Sequence, residues 1–392
     1  MTRFFIFLGV ATLILGGIHY YLWARLVRDT VLPQPWRMVA TVAIVVLAVS
    51  IPATMFLRRG LGETTFSELV LWPAMVWLGT AFFLVVLTAS VDLVRLVVWA
   101  AGKVAGASPM DPERRLFIAR VGGGIIAALG LAATGASLRT ALARVRVKTL
   151  ELPLRRLPPA LDGTTIAFIS DVHMGQAALG RAWLEQIVAD INALAPDVVA
   201  IGGDLVDGSV EELRHAVAPL ADLRSRHGVY FVTGNHEYYS GAREWCAHLQ
   251  TLGVRVLRNQ RVSIGDGAAS YDLAGVDDYN ASGMAPGHGA DLAAALVGYD
   301  PSRELVLLAH QPRAVFEAAE RGVGLQLSGH THGGQLWPWR YLVYLQQPFV
   351  GGLGRRKDTQ IYVSNGTGFW GPPMRLFAAP EITKIVLRSA AA

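Results

Sequence analysis

The sequence predicts an α/β domain preceded by an all-α transmembrane region of about four helices. Three observations carry that expectation. Hydrophobic residues fill 52% of the 392 positions and charged residues only 17%, whereas soluble domains carry nearer a quarter charged residues. The apolar excess is concentrated before about residue 140. From Val145 onward, short apolar runs that end in small polar clusters alternate with amphipathic stretches, as strands and helices do in an α/β domain. This balance excludes a disordered chain, a coiled coil and a fully water-soluble protein. The predicted division is a membrane region over 1–140, a linker over 141–160 and a folded domain over 161–392.

Four stretches reach the ~20 mostly apolar residues that a membrane-spanning helix needs. They run from Phe4 to Trp23, Met38 to Leu57, Leu69 to Val91 and, richer in glycine and alanine, Phe117 to Leu138. Polar links separate them, one of them over 58–68. Trp23, Trp36, Trp72 and Trp77 fall near span ends, where amphipathic rings favour the headgroup region. His19 is expected at that interface with its polar edge in water, and Asp92 with Arg95 as an interfacial pair. Basic residues flank the spans equally on both sides, so charge bias leaves the orientation open. Arg114-Arg115-Leu116-Phe117-Ile118 ahead of the fourth span is either an ordinary basic flank or similar to a twin-arginine export signal. Export would place the C-terminal domain on the extracytoplasmic face of a multi-pass protein of the cytoplasmic (inner) membrane.

The net charge of +5 comes from 35 basic and 30 acidic residues, which is no surplus for a polyanion. With no helix-turn-helix, zinc-finger or basic aromatic sheet motif, nucleic acid is not an expected partner. The single cysteine, Cys246, excludes an intrachain disulfide or a thiolate cluster. It reads as a small apolar residue on a helix.

In the second half, five predicted strands each deliver polar residues at the carboxyl end. Thr165–Ser170 ends at Asp171-Val172-His173, and Val198–Ile201 ends at Gly202-Gly203-Asp204-Leu205-Val206-Asp207. Val229–Val232 ends at Gly234-Asn235-His236-Glu237, Leu305–Leu308 at His310, and Leu325–Leu327 at Gly329-His330-Thr331-His332. Helices are expected over Arg181–Leu194 and Val210–Arg226 between them. Loops at the carboxyl ends of strands in an open α/β sheet form a crevice, so these side chains can converge. Carboxylate, imidazole and amide oxygen suit hard to borderline divalent metals rather than soft thiolate-seeking ones.

This ordered set resembles the calcineurin-like metallophosphoesterases over roughly residues 160–388. The continuation Gly333-Gly334-Gln335 and the later Pro380-Glu381-Ile382 look like the bacterial membrane-associated branch of that family. The resemblance implies two β-sheets sandwiched between helices, and a dinuclear metal-dependent phosphoric ester hydrolase. Carried over residue by residue, Asp171, His173 and His332 would hold one metal, and Asn235, His310 and His330 a second, with Asp204 bridging. Manganese or iron with zinc are the ions it suggests. His236 would stabilise the transition state or protonate the leaving group, or else orient a neighbour. Asp207 would orient a ligand histidine.

Other residues leave choices open. His215, His227 and His248 are expected to face solvent, and His288 to sit in an exposed loop. Asp277 and Asp278 either border the pocket or form a solvated turn. Leu336-Trp-Pro-Trp-Arg-Tyr-Leu-Val-Tyr-Leu345 is either a core strand or a surface flap that meets lipid. Arg375 either pairs with a phosphate or makes a surface salt bridge. The expected substrate is a phospholipid or lipid-linked envelope precursor. The alternative is a soluble nucleotide or nucleotide-sugar, with the helices serving only as anchor.

Overall fold

The computed structural model describes residues 2–61, 65–108, 110–176, 178–266 and 269–390, with the side chains of 2–8 and 55–69 left aside. The chain forms two compact units, residues 1–139 with 372–374, and residues 140–371 with 375–392.

The first unit is built from α1 (Thr2–Trp23), α2 (Trp36–Leu61), α3 (Thr65–Val104) and α4 (Pro112–Ala141). All four are long and apolar enough to cross a membrane. α1 continues through a π-helical segment, Ala24–Arg28, and α3 extends well past the expected end at Val91. The polar link expected over 58–68 lies partly outside the described residues.

His19 departs from its expected hydrated position. It is buried between α1 and α3, accepting from Trp77 Nε1 at 2.8 Å through Nε2 while Nδ1 donates to the Leu15 carbonyl at 2.7 Å. Both ring nitrogens are thus satisfied without water. Asp92 pairs with Arg95 at 3.3 Å as expected, and it also takes Arg25 at 2.9 Å and the Tyr21 hydroxyl at 2.7 Å.

The second unit holds, among the described residues, two six-stranded sheets. The strands in chain order are β1 (Arg146–Leu154), β2 (Thr165–Ile169), β3 (Val198–Ile201), β4 (Val229–Phe231), β5 (Val254–Val256) and β6 (Gln260–Asp266). β7 (Ala269–Gly275), β8 (Leu305–Leu308), β9 (Leu325–Ser328), β10 (Gly352–Arg356), β11 (Thr359–Val363) and β12 (Glu381–Ser389) follow. One sheet runs β1-β12-β2-β3-β4-β5 and the other β10-β11-β9-β8-β7-β6.

Alternation along each strand sorts the side chains into layers. Ile166, Phe168, Val198 and Ala200 from the first sheet meet Leu273, Val306, Leu308, Leu325, Leu327 and Tyr362 from the second. The opposite face of the first sheet, with Ala167, Ile169, Val199 and Ile201, packs on α5 (Arg181–Ala193), α6 (Val210–Val217) and, beyond α7 (Asn235–Ser240), α8 (Ala242–Thr251). The outer face of the second sheet carries Ala274, Leu305 and Leu307 against Leu292, Ala295 and Ala318. The result is a helix–sheet–sheet–helix sandwich.

Three sequence expectations are corrected. Residues 141–160 are not a plain linker, because β1 joins the first sheet in parallel register with β12, Arg146 opposite Glu381. The helix expected to reach Arg226 stops as α6 at Val217. A 3₁₀ segment over Ala218–Asp222 follows, with Pro219, which has no N–H to continue the ladder, at its second position. The stretch 336–345 is no core strand. It forms a turn and the short helix Arg340–Val343, with Trp337, Trp339, Tyr341, Leu342, Tyr344 and Leu345 exposed.

Candidate active site

The parallel strands β2, β3, β4, β8 and β9 end at one edge of the sandwich, and each hands a polar loop to it. The backbone there is unusual. Asp171, His173, Asp204, His330 and His332 all adopt φ between 50° and 71°, a left-handed region that non-glycine residues enter at a cost. Five of the predicted ligand residues thus hold a costly conformation at one place. Two glycines permit the crowding. A Cβ at Gly234 would collide with the Asp204 carboxylate, and one at Gly329 with the Asp171 carboxylate.

Three groups of side chains bring their ligand atoms within 4.8 Å of one another: Asp171, His173 and His332; His173, Asp204 and His236; Asp204, His310 and His330. His332 Nε2 lies 3.0 Å from His173 Nε2 and 3.6 Å from Asp171 Oδ1. Asp204 Oδ2 lies 3.0 Å from His310 Nε2 and 4.0 Å from His173 Nε2. Its Oδ1 accepts the His236 backbone N–H at 2.8 Å. Both oxygens of Asp171 accept the His330 N–H, at 2.8 and 3.1 Å.

These donors fit a cation. His310 Nδ1 donates to the Gly202 carbonyl at 2.7 Å, so Nε2 is the ring atom that faces the Asp204 oxygen. At 3.0 Å the two atoms need a positive charge shared between them, a proton on Nε2 or a cation in its place. Buried Asn235 Oδ1 lacks a hydrogen-bond partner, and buried polar atoms are rarely left so without an ion or water. Asn235 opens α7 immediately before His236.

The titration of the cluster follows its charges. Burial pushes the Asp171 carboxyl up. Burial acts the same way on Asp204, but the imidazoles of His310, His236 and His173 outweigh it and hold that carboxyl well below the usual range. Burial and then the charges of His310, His236 and His173 lower His330 to about 3. Burial, then the Arg375 guanidinium, keeps His332 well below its usual value. Both are therefore held neutral, the form that binds metal. For His236, burial opposes the charged form, yet the hydrogen bond to Asp207 and the charges of Asp204, Asp207 and Glu237 raise it to about 9.

Behind these groups stands a supporting layer. Asp207 bonds His173 Nδ1 at 3.1 Å through Oδ2 and His236 Nδ1 through Oδ1. Glu237, to which the sequence reading gave no role, is fully buried. It accepts from the backbone N–H groups of Gly234 at 2.6 Å, Leu205 at 2.7 Å and Asp204 at 3.0 Å, tying the β3 loop to the β4 loop. Its position three residues after Gly234, at the start of a helix, was the available signal.

Arg375 is neither on the surface nor placed for a phosphate. It is wholly buried, Nη2 contacts His332 Nδ1 at 3.1 Å, and its guanidinium donates to the carbonyls of His332, Asn365, Gly368 and Ala378. Among the described residues no carboxylate pairs with it, and the loop carbonyls supply its acceptors.

Asp277 and Asp278 form no solvated turn. Arg258 clasps Asp277 at 2.8 and 3.0 Å, and Gln311 donates to Asp278. The side chain of His288 is buried against the Tyr238 hydroxyl at 3.1 Å, a closure the Gly-rich loop sequence did not signal. His215 is exposed, whereas His227 and His248 are half-buried, the latter ring against Trp245.

With this geometry in view, the similarity to known proteins has a physical basis. The calcineurin-like phosphoesterase family profile matches residues 164–334. A bovine (Bos taurus) "transmembrane protein with metallophosphoesterase domain" is 38% identical over 96% of this chain and 87% of its own length. The chain belongs to the calcineurin-like phosphoesterase family. An uncharacterized metallophosphoesterase of Campylobacter jejuni is 32% identical over 98% of this chain and 99% of its own. Membrane-region relatives therefore occur in animals as well as bacteria. Among solved structures, a phosphopantetheinyl hydrolase from Mycobacterium tuberculosis aligns with 58% of this chain and 97% of its own, at 13% identity and TM-score 0.37.

Proposed function

We propose that the chain is a membrane-anchored, dinuclear metal-dependent hydrolase of phosphoric esters, acting on a phosphorylated lipid or lipid-linked envelope precursor. The observation that carries this reading is Asp204, whose Oδ2 stands 3.0 Å from His310 Nε2 and 4.0 Å from His173 Nε2, between two groups of ligand-type side chains. Asp171, His173 and His332 would hold one divalent ion, Asn235, His310 and His330 the other, with Asp204 shared. Manganese, iron or zinc match such mixed nitrogen and oxygen donors.

When bound, a metal pair neutralises phosphate charge and lowers the pKa of a water for in-line attack. The chain's own residues handle the leaving group. Asp207 holds His236 by Nδ1, which leaves Nε2 to give its proton to the departing oxygen. Against burial, the carboxylates of Asp207 and Asp204 raise the His236 pKa, which favours the protonated ring.

Two features favour a lipid. The exposed run Trp337, Trp339, Tyr341, Leu342, Tyr344 and Leu345 follows the His332 loop directly, with side chains suited to a headgroup layer. The four apolar helices supply residence at a bilayer. We place the domain on the extracytoplasmic side of a bacterial cytoplasmic membrane, on the strength of Arg114-Arg115 at the start of α4. A reporter fused after residue 392 that reads cytoplasmic would overturn that placement.

The function is tested with the full chain in detergent, stripped and reconstituted with manganese, iron or zinc. Lipid phosphates, lipid pyrophosphates, phosphodiesters and soluble nucleotides are then offered. Metal-dependent turnover of the lipid esters is expected. Equal turnover of delipidated or short-chain substrates would favour the soluble nucleotide or nucleotide-sugar instead. No turnover of any ester with both metals bound would refute the enzyme reading.

A further inference from the structure

His236 does not face open solvent alone. Tyr239 lies three residues further along α7, which puts it on the same helical face. Its ring stands 5.3 Å from the imidazole at 73°. The Trp370 indole approaches from a different loop, 6.0 Å away at 75°. Both rings are more than half exposed, at 67% and 54%. Apolar rings that border a reactive group and remain open to solvent are contact surface available to a ligand.

The Trp370 backbone is not loose. Gln335 donates to its carbonyl at 2.8 Å and accepts its N–H at 3.1 Å. Just before it, Thr367 N–H and Gly368 N–H bond to the carbonyls of Ser170 and Asp171 at 2.8 and 2.9 Å. Phe369 is buried beside Leu179. The loop that displays the indole is therefore pinned to the same strand end that carries Asp171.

From this geometry we infer that Tyr239 and Trp370 are the contact walls for the leaving group, and that this group is the apolar side of the substrate. The inference rests on the proposed hydrolase reading and on the position of His236, held by Asp207 between the two rings, and names which ester bond breaks. A water oxygen bonds to phosphorus as the bond from phosphorus to the apolar alcohol's oxygen opens. That oxygen takes the Nε2 proton of His236, and the water gives up its own proton to solvent. The products are an apolar alcohol and a phosphate that retains any polar substituent.

A mixed diester separates the two bonds. In 2-naphthylethyl methyl phosphate both leaving groups are simple alkoxides of similar basicity, so chemistry alone hardly distinguishes them. With the metal-loaded full chain in detergent, naphthylethanol plus methyl phosphate is expected over methanol plus naphthylethyl phosphate by at least tenfold. Trp370→Ala and Tyr239→Ala should each lower that ratio several-fold, and the double variant should bring it near one. A merely structural loss would depress both products together and leave the ratio intact. An excess of methanol, or a ratio unchanged in the double variant, would overturn the inference.

A binding arm needs no turnover. 2-Naphthylethylphosphonate should bind the wild-type chain at least tenfold tighter than methylphosphonate, and the double variant with little preference. Equal affinities in the wild type would overturn the clamp. If binding shows the preference while no ester is cleaved, the hydrolase reading fails and the aromatic subsite stands.

Discussion

At the scale of single residues, Asp207 links the two halves of the proposed chemistry. One oxygen orients His173, the other His236. Burial raises its carboxyl, but the two imidazoles outweigh that and hold it well below the usual range, so it is ionised throughout the working pH span. Asp207→Asn keeps the shape and removes the charge. Metal affinity should fall about 10–100-fold, as for other partners of ligand histidines. At saturating metal, kcat should still be reduced, by about 10²-fold or more, because His236 loses its charged partner. A metal titration with parallel kinetics separates these effects, and an unchanged kcat at saturation would remove His236 from the proton step. A second residue-scale expectation concerns Cys246. Burial first, then the Glu237 charge, push its thiol up to about 12, so at pH 8 only about one in ten thousand is thiolate. Iodoacetamide should leave the folded chain unlabelled at pH 8 and alkylate it after denaturation, as read by intact mass. Rapid labelling of the folded chain would place that thiol in solvent.

At the scale of elements, the site rests on loops whose backbone polar groups need internal partners, and Arg375 meets four carbonyls with one guanidinium. Replacing it with methionine strips those acceptors of their donor. A loss of about 3 kcal/mol follows, a fall in Tm of roughly 6–12 °C for a domain of this size. Lysine should recover little, since it lacks the planar fork. A methionine variant melting within 2 °C of wild type would refute this. The same residue marks where sequence reasoning stops. The strand ends with Asp171, Asp204 and Asn235 were readable because periodicity and glycine punctuation are local. Arg375 was not, because its acceptors are carbonyls, which no side-chain pattern reports. β1 looked like linker for a related reason. Most of its side chains are exposed, so the apolar alternation that marks a half-buried strand is missing. Its partner β12 comes from the far end of the chain. His19 read as interfacial because its partner Trp77 lies on another helix.

At the scale of the whole molecule, the question is what the helices contribute to catalysis. Residues 140–390 contain both sheets and the apolar layers between and outside them, so they carry a core of their own. The helices then act through concentration. Tethering confines the site to the layer where a lipid ester resides, which for short linkers corresponds to millimolar effective concentration. A chain starting at residue 140 should therefore keep its kcat/KM on a water-soluble aryl phosphate ester within about threefold. On a lipid ester presented in vesicles at micromolar bulk concentration, it should lose at least tenfold relative to the full chain reconstituted in the same vesicles. Parallel loss on both substrates would mean that the helices shape the site itself. Equal turnover of the vesicle substrate by the two chains would mean that the exposed aromatic run at 337–345 is enough to hold the domain at the bilayer, and that the anchor serves something other than access.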